Sequence, residues 1–347
     1  SGLKCSGWEM RNAHLPSDIE AKHSETAFLT NRAMDYISTR NKDTPWCLHL
    51  SYFNPHWPLL APSPYHKMYN QSDVIGVVKD EVEMKNPHPV FSAFQQLEYS
   101  QNYTDEKKRR HVIPTYMGLI SEIDHHIGRL LSFLDTNNLS ENTVIIFTSD
   151  HGDYLGDHWL GEKDLFHEPS IRIPLIIVEP KMPINLRGTS EKRMVESVDI
   201  VPTIVETMGG SYANNRMEGR SLVPLLFGDS PAWRDTVFAE IDYSDRGARQ
   251  VLDKHPYECR GYMIKNTYWK YIYWEGHRAQ LYDLLNDPDE FNDLAENHDQ
   301  SERLEDFEKQ LFSWLRNRKQ RTVVDLDEIY KRSPEADERA GIIIGRW

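Results

Sequence analysis

Val144–Phe147 is a purely apolar run, and the residues after it, "TSDHGDYLGDHWLGEKDLFHE" (148–168), include Asp150, Asp153, Asp157, Glu162, Asp164, Glu168, His151, His158, His167 and Lys163. So abrupt a switch constrains the fold: the apolar run reads as a buried strand, and the ionisable residues gather where it ends. In open α/β sheets the carboxyl ends of strands are where ligands bind and chemistry is done. Asp150 and His151 hold that place.

The flanking sequence supports such a sheet. Tyr116–Leu134 has a helical period, with Met117, Ile120, Ile127, Leu130, Leu131 and Leu134 on one side. Ile173–Val178 reads as a second buried strand, and "DIVPTIVETMGG" as a short helix with Asp199 as its cap and Gly209 as its stop. Further upstream, Ser24 caps a helix to Arg40 whose apolar face draws on Ala27, Phe28, Met34 and Ile37. Trp46–Phe53 follows as a strand and ends in the rigid turn "NPHWP", which carries His56. Helix, strand, loop, strand and helix predict an α/β layer with a parallel sheet. Leu59–Thr115, rich in Pro, Asn, Gln and charge, reads as a long irregular insertion of the kind that lines a substrate entrance.

The character changes near Pro231. Tyr262–Asp283 alternates aromatic and polar residues about a Glu275–Gly276 turn, which predicts an antiparallel hairpin of a smaller sheet. Residues 299–321 give an amphipathic helix with Leu304, Phe307, Leu311, Trp314 and Leu315 turned inward to cover it. We therefore expect an α/β catalytic domain over 1–230, a smaller subdomain over 231–321, and a tail over 322–347 whose apolar end, "GIIIGRW", needs a partner surface. That surface lies on the same subunit or on a neighbour, so a homo-oligomer is expected.

Composition narrows the function. Forty basic against fifty-four acidic side chains give a net charge of -14, which leaves no broad footprint for DNA or RNA. An anionic substrate would have to be met by a metal or a few placed cations. Cys5, Cys47 and Cys259 are too few and too scattered for a disulfide framework or a zinc knuckle. No run approaches the length of a membrane span and the first residues lack a signal-peptide core, so no membrane is expected as partner, and the compartment stays open between cytoplasm and periplasm.

A carboxylate and an imidazole side by side at a strand end suit a divalent cation, manganese or zinc by ligand type and calcium if more carboxylates join. The bland alternative is a surface pair in which Asp150 caps the next turn. Lys163, in a Gly-punctuated loop, could bring a cation to an anionic oxygen, and His56 could protonate a leaving group or bind an anion. Asp153, Asp157, His158 and His167 read as supporting or turn-forming residues.

The stretch from Thr148 to Pro180 resembles the second metal motif of the sulfatase branch of the alkaline phosphatase superfamily. "NPHWP" resembles that family's Pro-His-x-Pro turn, "SVDIVPTIVETMGG" its Asp-hydrophobic-x-Pro-Thr helix, "MEGRSLVPLLFG" its Gly-Arg-Ser-Leu element and "QLYDLLNDPDEFNDLA" its Leu-Tyr-Asp-Leu signature. The His after Asp150 is closest to the branch of phosphonate monoester hydrolases, choline sulfatases and iduronate sulfatases. The resemblance implies an alkaline-phosphatase-like sheet sandwiched by helices. It also implies Asp150 and His151 as metal ligands, Lys163 as the cation on the sulfate or phosphate, and His56 beside the leaving-group oxygen. Calcium or manganese leads as the metal, with zinc third.

The family's paired Asp strand and its Cys/Ser-x-Pro-Ser/Ala-Arg motif, whose first residue becomes a nucleophilic formylglycine, have no counterpart in this sequence. The resemblance therefore implies a fragment whose N-terminal third, with that nucleophile, lies elsewhere in the same protein. The expected function is metal-dependent hydrolysis of a small anionic sulfate ester, arylsulfatase-like. A phosphonate monoester hydrolase or phosphodiesterase is the alternative, and a catalytically inactive sulfatase-like binding protein is the alternative of another class.

Overall fold

A computed structural model describes residues 10–40 and 44–319. In chain order its elements are α1 (Glu25–Ser38), α2 (Pro89–Gln95), α3 (Glu98–Thr104), α4 (Glu106–Thr136), β1 (Ile145–Thr148), α5 (Glu168–Ile171), β2 (Leu175–Val178), α6 (Ile200–Thr207), α7 (Val223–Leu226), β3 (Val237–Asp242), α8 (Gly247–Val251), β4 (Arg260–Lys265), β5 (Trp269–Trp274), β6 (Gln280–Asp283) and α9 (Ser301–Asn317). They form two compact units. One runs up to Pro180 and takes in Tyr243–Cys259; the other comprises Lys181–Asp242 and the chain from Arg260 onward. The chain is thus not divided at residue 230, because the segment between β3 and β4 packs with the first unit. The expected tail, 322–347, lies outside the described residues.

In the first unit, α1 begins as expected, with Ser24 Oγ accepting from the Ala27 N–H at 3.2 Å. Its buried side is Thr26, Ala27, Thr30, Ala33 and Ile37, while Phe28 is exposed. Of the expected apolar stripe, Ala27 and Ile37 are buried and Met34 partly so, and only Phe28 fails; the seam between α1 and α4 also takes polar groups, with Glu122 and His126 facing inward from α4 and Thr30 Oγ1 bonding Tyr52 OH at 2.8 Å. The α4 positions Ile120 and Leu131, expected inside, are exposed.

The segment 59–115 is far more regular than its composition suggested. Asp105 accepts from the N–H groups of Lys107 and Lys108 at 2.9 and 3.2 Å and starts α4 well before Tyr116. Pro114, which reads as a break, sits inside that helix. The lost hydrogen bond, a cost of about 3 kcal/mol in a free helix, is offset by burial of Val112, Ile113 and Thr115 around it.

β1 and β2 pair antiparallel, Ile145 opposite Val178 and Thr148 opposite Leu175, and not parallel as expected. A parallel pair needs a crossover helix of substantial length. The connection 149–174 contains only a three-residue turn of helix and the four-residue α5. Nor are these strands fully buried: Phe147, Ile176 and Val178 are exposed. Trp46–Phe53, expected as a strand, keeps an alternating burial pattern but joins neither sheet among the described residues.

In the second unit the expected hairpin is part of a four-stranded antiparallel sheet ordered β3-β4-β5-β6. Gly276, at φ +69°, turns β5 toward β6. Ile264, Tyr271 and Leu281 on one face bury against Phe307 and Leu311 of α9, as the helix pattern predicts. Asp199 does precede α6, but its carboxylate serves Arg234, the Arg220 N–H and the Glu196 N–H instead of capping that helix. No helix among the described residues is long and apolar enough to cross a membrane.

The α1–α4 seam makes a pH prediction. His126 is 4% exposed and its Nδ1 accepts from Arg129 Nη1 at 2.9 Å. Burial first, then Arg129 and His125, push its pKa down from 6.5 to about 4. Between those values the unfolded chain takes a proton that the folded one refuses, so stability falls as pH drops through this window and loses nothing more from this group below it. Urea midpoints at pH 7 and pH 4.5 should differ less for His126→Gln than for the unaltered protein; equal differences would refute the assignment.

Candidate active site

The turn Asn54–Pro58 is pinned at Asn54 and His56. The His56 N–H bonds Phe53 O at 3.1 Å, and Asn54 Nδ2 donates to Thr26 Oγ1 at 3.1 Å and to Glu122 Oε2 at 3.4 Å. His56 Nδ1 lies 3.1 Å from Trp57 O, a carbonyl that can only accept, so this nitrogen carries the proton. Its Nε2 is thereby left as an acceptor, and the Lys163 ammonium donates to it.

His151 is fixed in the same way. Its Nδ1 lies 2.8 Å from Gly152 O, and its Nε2 stands 3.5 Å from Asp150 Oδ2. The rings of His56 and His151 stand edge to face with centroids 5.9 Å apart. Asp150 is 87% exposed, so its carboxylate is open to a ligand. Gly152 lets this segment approach α5: a Cβ there would stand 1.9 Å from Pro169 O, and its N–H bonds Ser170 O at 2.7 Å. The four residues singled out by sequence, His56, Asp150, His151 and Lys163, therefore converge from a Pro-flanked turn, the end of β1 and one loop.

The other polar residues of the stretch build the loop. Asp153 accepts from Leu155 N–H at 3.0 Å, and Asp157 from Val78 N–H at 2.8 Å. Burial, with help from Glu162 and Asp157 and against the Leu155 bond and Lys163, pushes Asp153 up to about 7. His158 pairs with Glu83 at 2.7 Å and stacks on His167 at 4.2 Å, and Tyr154 OH meets His167 Nδ1 at 2.9 Å. These contacts fasten residues 78–83 onto the 153–158 loop.

Sequence reasoning missed Glu122, Asp164, Tyr99 and Arg246. Asp164 directly follows Lys163 and was open to notice; the other three are separated from the motifs in sequence and carry no spacing signal. Among the described residues no group of three or more His, Cys, Asp or Glu is arranged to hold a metal. Cys47 is exposed and Cys259 buried; Cys5 lies outside the described residues.

Comparison with known proteins gives these contacts a context. The family model described as Sulfatase matches residues 4–211, and that described as N-sulphoglucosamine sulphohydrolase, C-terminal, matches residues 156–318. The chain is 33% identical over 340 residues to the multifunctional alkaline phosphatase superfamily protein PehA of Trinickia caryophylli, covering 92% of this chain and 64% of that protein. It is 31% identical to a choline-sulfatase of Rhizobium meliloti, covering 79% of this chain and 51% of the relative. The crystal structure of the phosphonate monoester hydrolase of Agrobacterium radiobacter superposes with a TM-score of 0.79 at 28% identity, over 87% of this chain and 62% of that one. The chain thus spans less than two thirds of the length of each of these relatives.

Proposed function

The chain belongs to the sulfatase family, and on that premise we propose that it hydrolyses singly charged esters of tetrahedral oxyanions, phosphonate monoesters and phosphodiesters first and sulfate esters second. The convergence of His56, Lys163 and the Asp150–His151 pair carries this reading. Each of these ester classes presents one negative charge on a tetrahedral centre, so charge alone does not separate them. The similarity to a phosphonate monoester hydrolase structure is what favours phosphorus over sulfur.

In this reading the Lys163 ammonium meets a non-bridging oxygen of the ester and offsets charge that grows there in the transition state. His56 stands beside the leaving oxygen. Because its Nδ1 proton is committed to Trp57 O, the Lys163–His56 pair holds one transferable proton between Nζ and Nε2, and that proton is available to the departing group.

A divalent ion fits the Asp150–His151 donors, an oxygen and an imidazole nitrogen facing one another: manganese or zinc by donor type, and calcium where further carboxylates complete the shell, as the family resemblance implies. When bound, such an ion would polarise the ester oxygens. Two donors do not complete a coordination shell, and we place the remaining ligands, with the formylglycine nucleophile, outside the described residues.

The test compares the full-length protein on 4-nitrophenyl phenylphosphonate, bis(4-nitrophenyl) phosphate and 4-nitrophenyl sulfate. We expect kcat/KM on the phosphorus esters to exceed that on the sulfate by about tenfold or more. The reverse ratio would assign sulfate esters, and no turnover of any ester by metal-loaded protein would leave the binding-protein reading. Asp150→Asn should raise the metal concentration for half-maximal activity by more than the roughly 10- to 100-fold that supporting residues alone command.

A further inference from the structure

Asp164, the chain neighbour of Lys163, has a side chain only 6% exposed. Its Oδ1 accepts from Arg246 Nε at 3.0 Å, with Arg246 Nη2 at the same distance, and its Oδ2 accepts from Tyr99 OH at 3.0 Å. Burial, then the carboxylate itself, push the Tyr99 phenol far above its ordinary range, so it stays a donor. A carboxylate this deep is tolerated only when its oxygens are paired and hydrogen-bonded. Here both oxygens are.

The donors come from segments remote in sequence. Tyr99 belongs to α3, and Arg246 is the residue before α8, in the 243–259 excursion that packs with the first unit. The backbone around Lys163 is held from further sides as well: Ser170 Oγ donates to Lys163 O, and Gly161 N–H bonds Ser100 Oγ at 3.3 Å. A Cβ on Gly161 would stand 2.7 Å from Tyr99 O, so α3 lies directly against this loop. The lysine side chain is long and flexible. Where its ammonium stands is decided by where its backbone is fastened.

We propose that Asp164, Arg246 and Tyr99 form a clamp that positions the Lys163 ammonium at the site, with Arg246 as the positioning residue that the 243–259 excursion contributes. This rests on reading Lys163 as the cation that meets the anionic ester.

In the full-length protein, Arg246→Ala should lower kcat on the best ester about ten- to hundredfold, the size of effect that a misplacement of about 1 Å produces, with a smaller change in KM. Arg246→Lys should recover part of the loss, since it restores the charge but not the guanidinium fork. The double variant Asp164→Asn, Arg246→Ala should be no slower than the worse single variant, because one broken clamp cannot be broken again. A readout independent of turnover is the labelling of Lys163 by an amine-reactive ester, followed by peptide mass: Arg246→Ala should speed it.

If Arg246→Ala lowers only the melting temperature, with kcat per folded molecule and Lys163 labelling unchanged, the clamp is structural and the proposal is overturned; multiplying losses in the double variant would overturn it too. Should the unaltered protein turn over no ester, the functional reading fails on its own, and the labelling rate still decides the clamp. Where Arg246→Ala does not fold, Tyr99→Phe removes one bond to the same carboxylate. Faster labelling then supports the proposal and unchanged labelling refutes it.

Discussion

Lys163→Ala is expected to lower turnover of the best ester by about 10²- to 10³-fold, the effect of removing one preorganised donor from a site where charge develops. The net charge of -14 makes the loss harder to compensate, because the rest of the molecule supplies an unfavourable field for an anion. Lys163 is half-buried and its partner His56 is also half-buried, so water can replace the ammonium on His56 Nε2 and the fold should survive. Lys163→Arg keeps the charge but spreads it over a planar fork that cannot sit on a single imidazole nitrogen in the same way, and should fall between the two. Measuring kcat and KM for all three proteins, with circular dichroism as the folding control, decides the matter. Turnover by Lys163→Ala within about threefold of the unaltered protein would remove Lys163 from the chemistry, since that is under 1 kcal/mol of barrier.

The meeting of His56, Lys163, Asp150 and His151 was legible because they sit in short motifs whose local geometry the chain dictates by itself. A Pro-flanked turn fixes His56, and a glycine that must lie against Pro169 fixes Asp150 and His151 at the end of β1. What holds those motifs was not legible, because it is made of contacts distant in sequence. Asn54 reaches Glu122, and Asp164 reaches Arg246, across 68 and 82 residues.

The fold was read well where periodicity and burial agree, as in α9, whose Phe307 and Leu311 are both buried. It was misread where polar residues go inside. α4 turns Glu122 and His126 inward, so its apolar period found Leu134 and Met117 but misplaced Ile120 and Leu131, which are exposed. Its first turns looked irregular because Pro114 and the charges of 106–111 outweighed the buried Val112 and Ile113. The direction of β2 depends on a connection whose helical content is too small to be visible in a pattern.

The strongest case of a polar residue inside is Lys270, and it carries the largest stability prediction. On β5 the alternation Trp-Lys-Tyr-Ile-Tyr-Trp places Lys270 on the face opposite Tyr271, where pattern alone would put solvent. Instead its side chain is 0% exposed, and its Nζ stands 2.5 Å from Oε1 of Glu290, whose own side chain is 1% exposed. Other polar groups on this face are met within it: Trp274 Nε1 donates to Gln280 Oε1 at 2.8 Å, and Gln280 Nε2 to Tyr282 OH at 2.7 Å. Glu290 has φ +55°, a conformation a non-glycine residue keeps only where its surroundings hold it.

Lys270→Met preserves the volume but leaves the Glu290 carboxylate buried without its cation, and should cost about 3–5 kcal/mol of unfolding free energy. The double variant Lys270→Met, Glu290→Leu removes the stranded charge as well and should recover most of that loss, because a buried pair often contributes little beyond what an apolar pair of equal size would. Urea midpoints for the two variants and the parent measure both quantities. A single-variant loss below about 1 kcal/mol, the scale of an exposed pair, would mean that water reaches Glu290 when Lys270 is gone. A double variant as unstable as the single one would instead mean that the backbone at Glu290 depends on the carboxylate itself and not on its charge being paired.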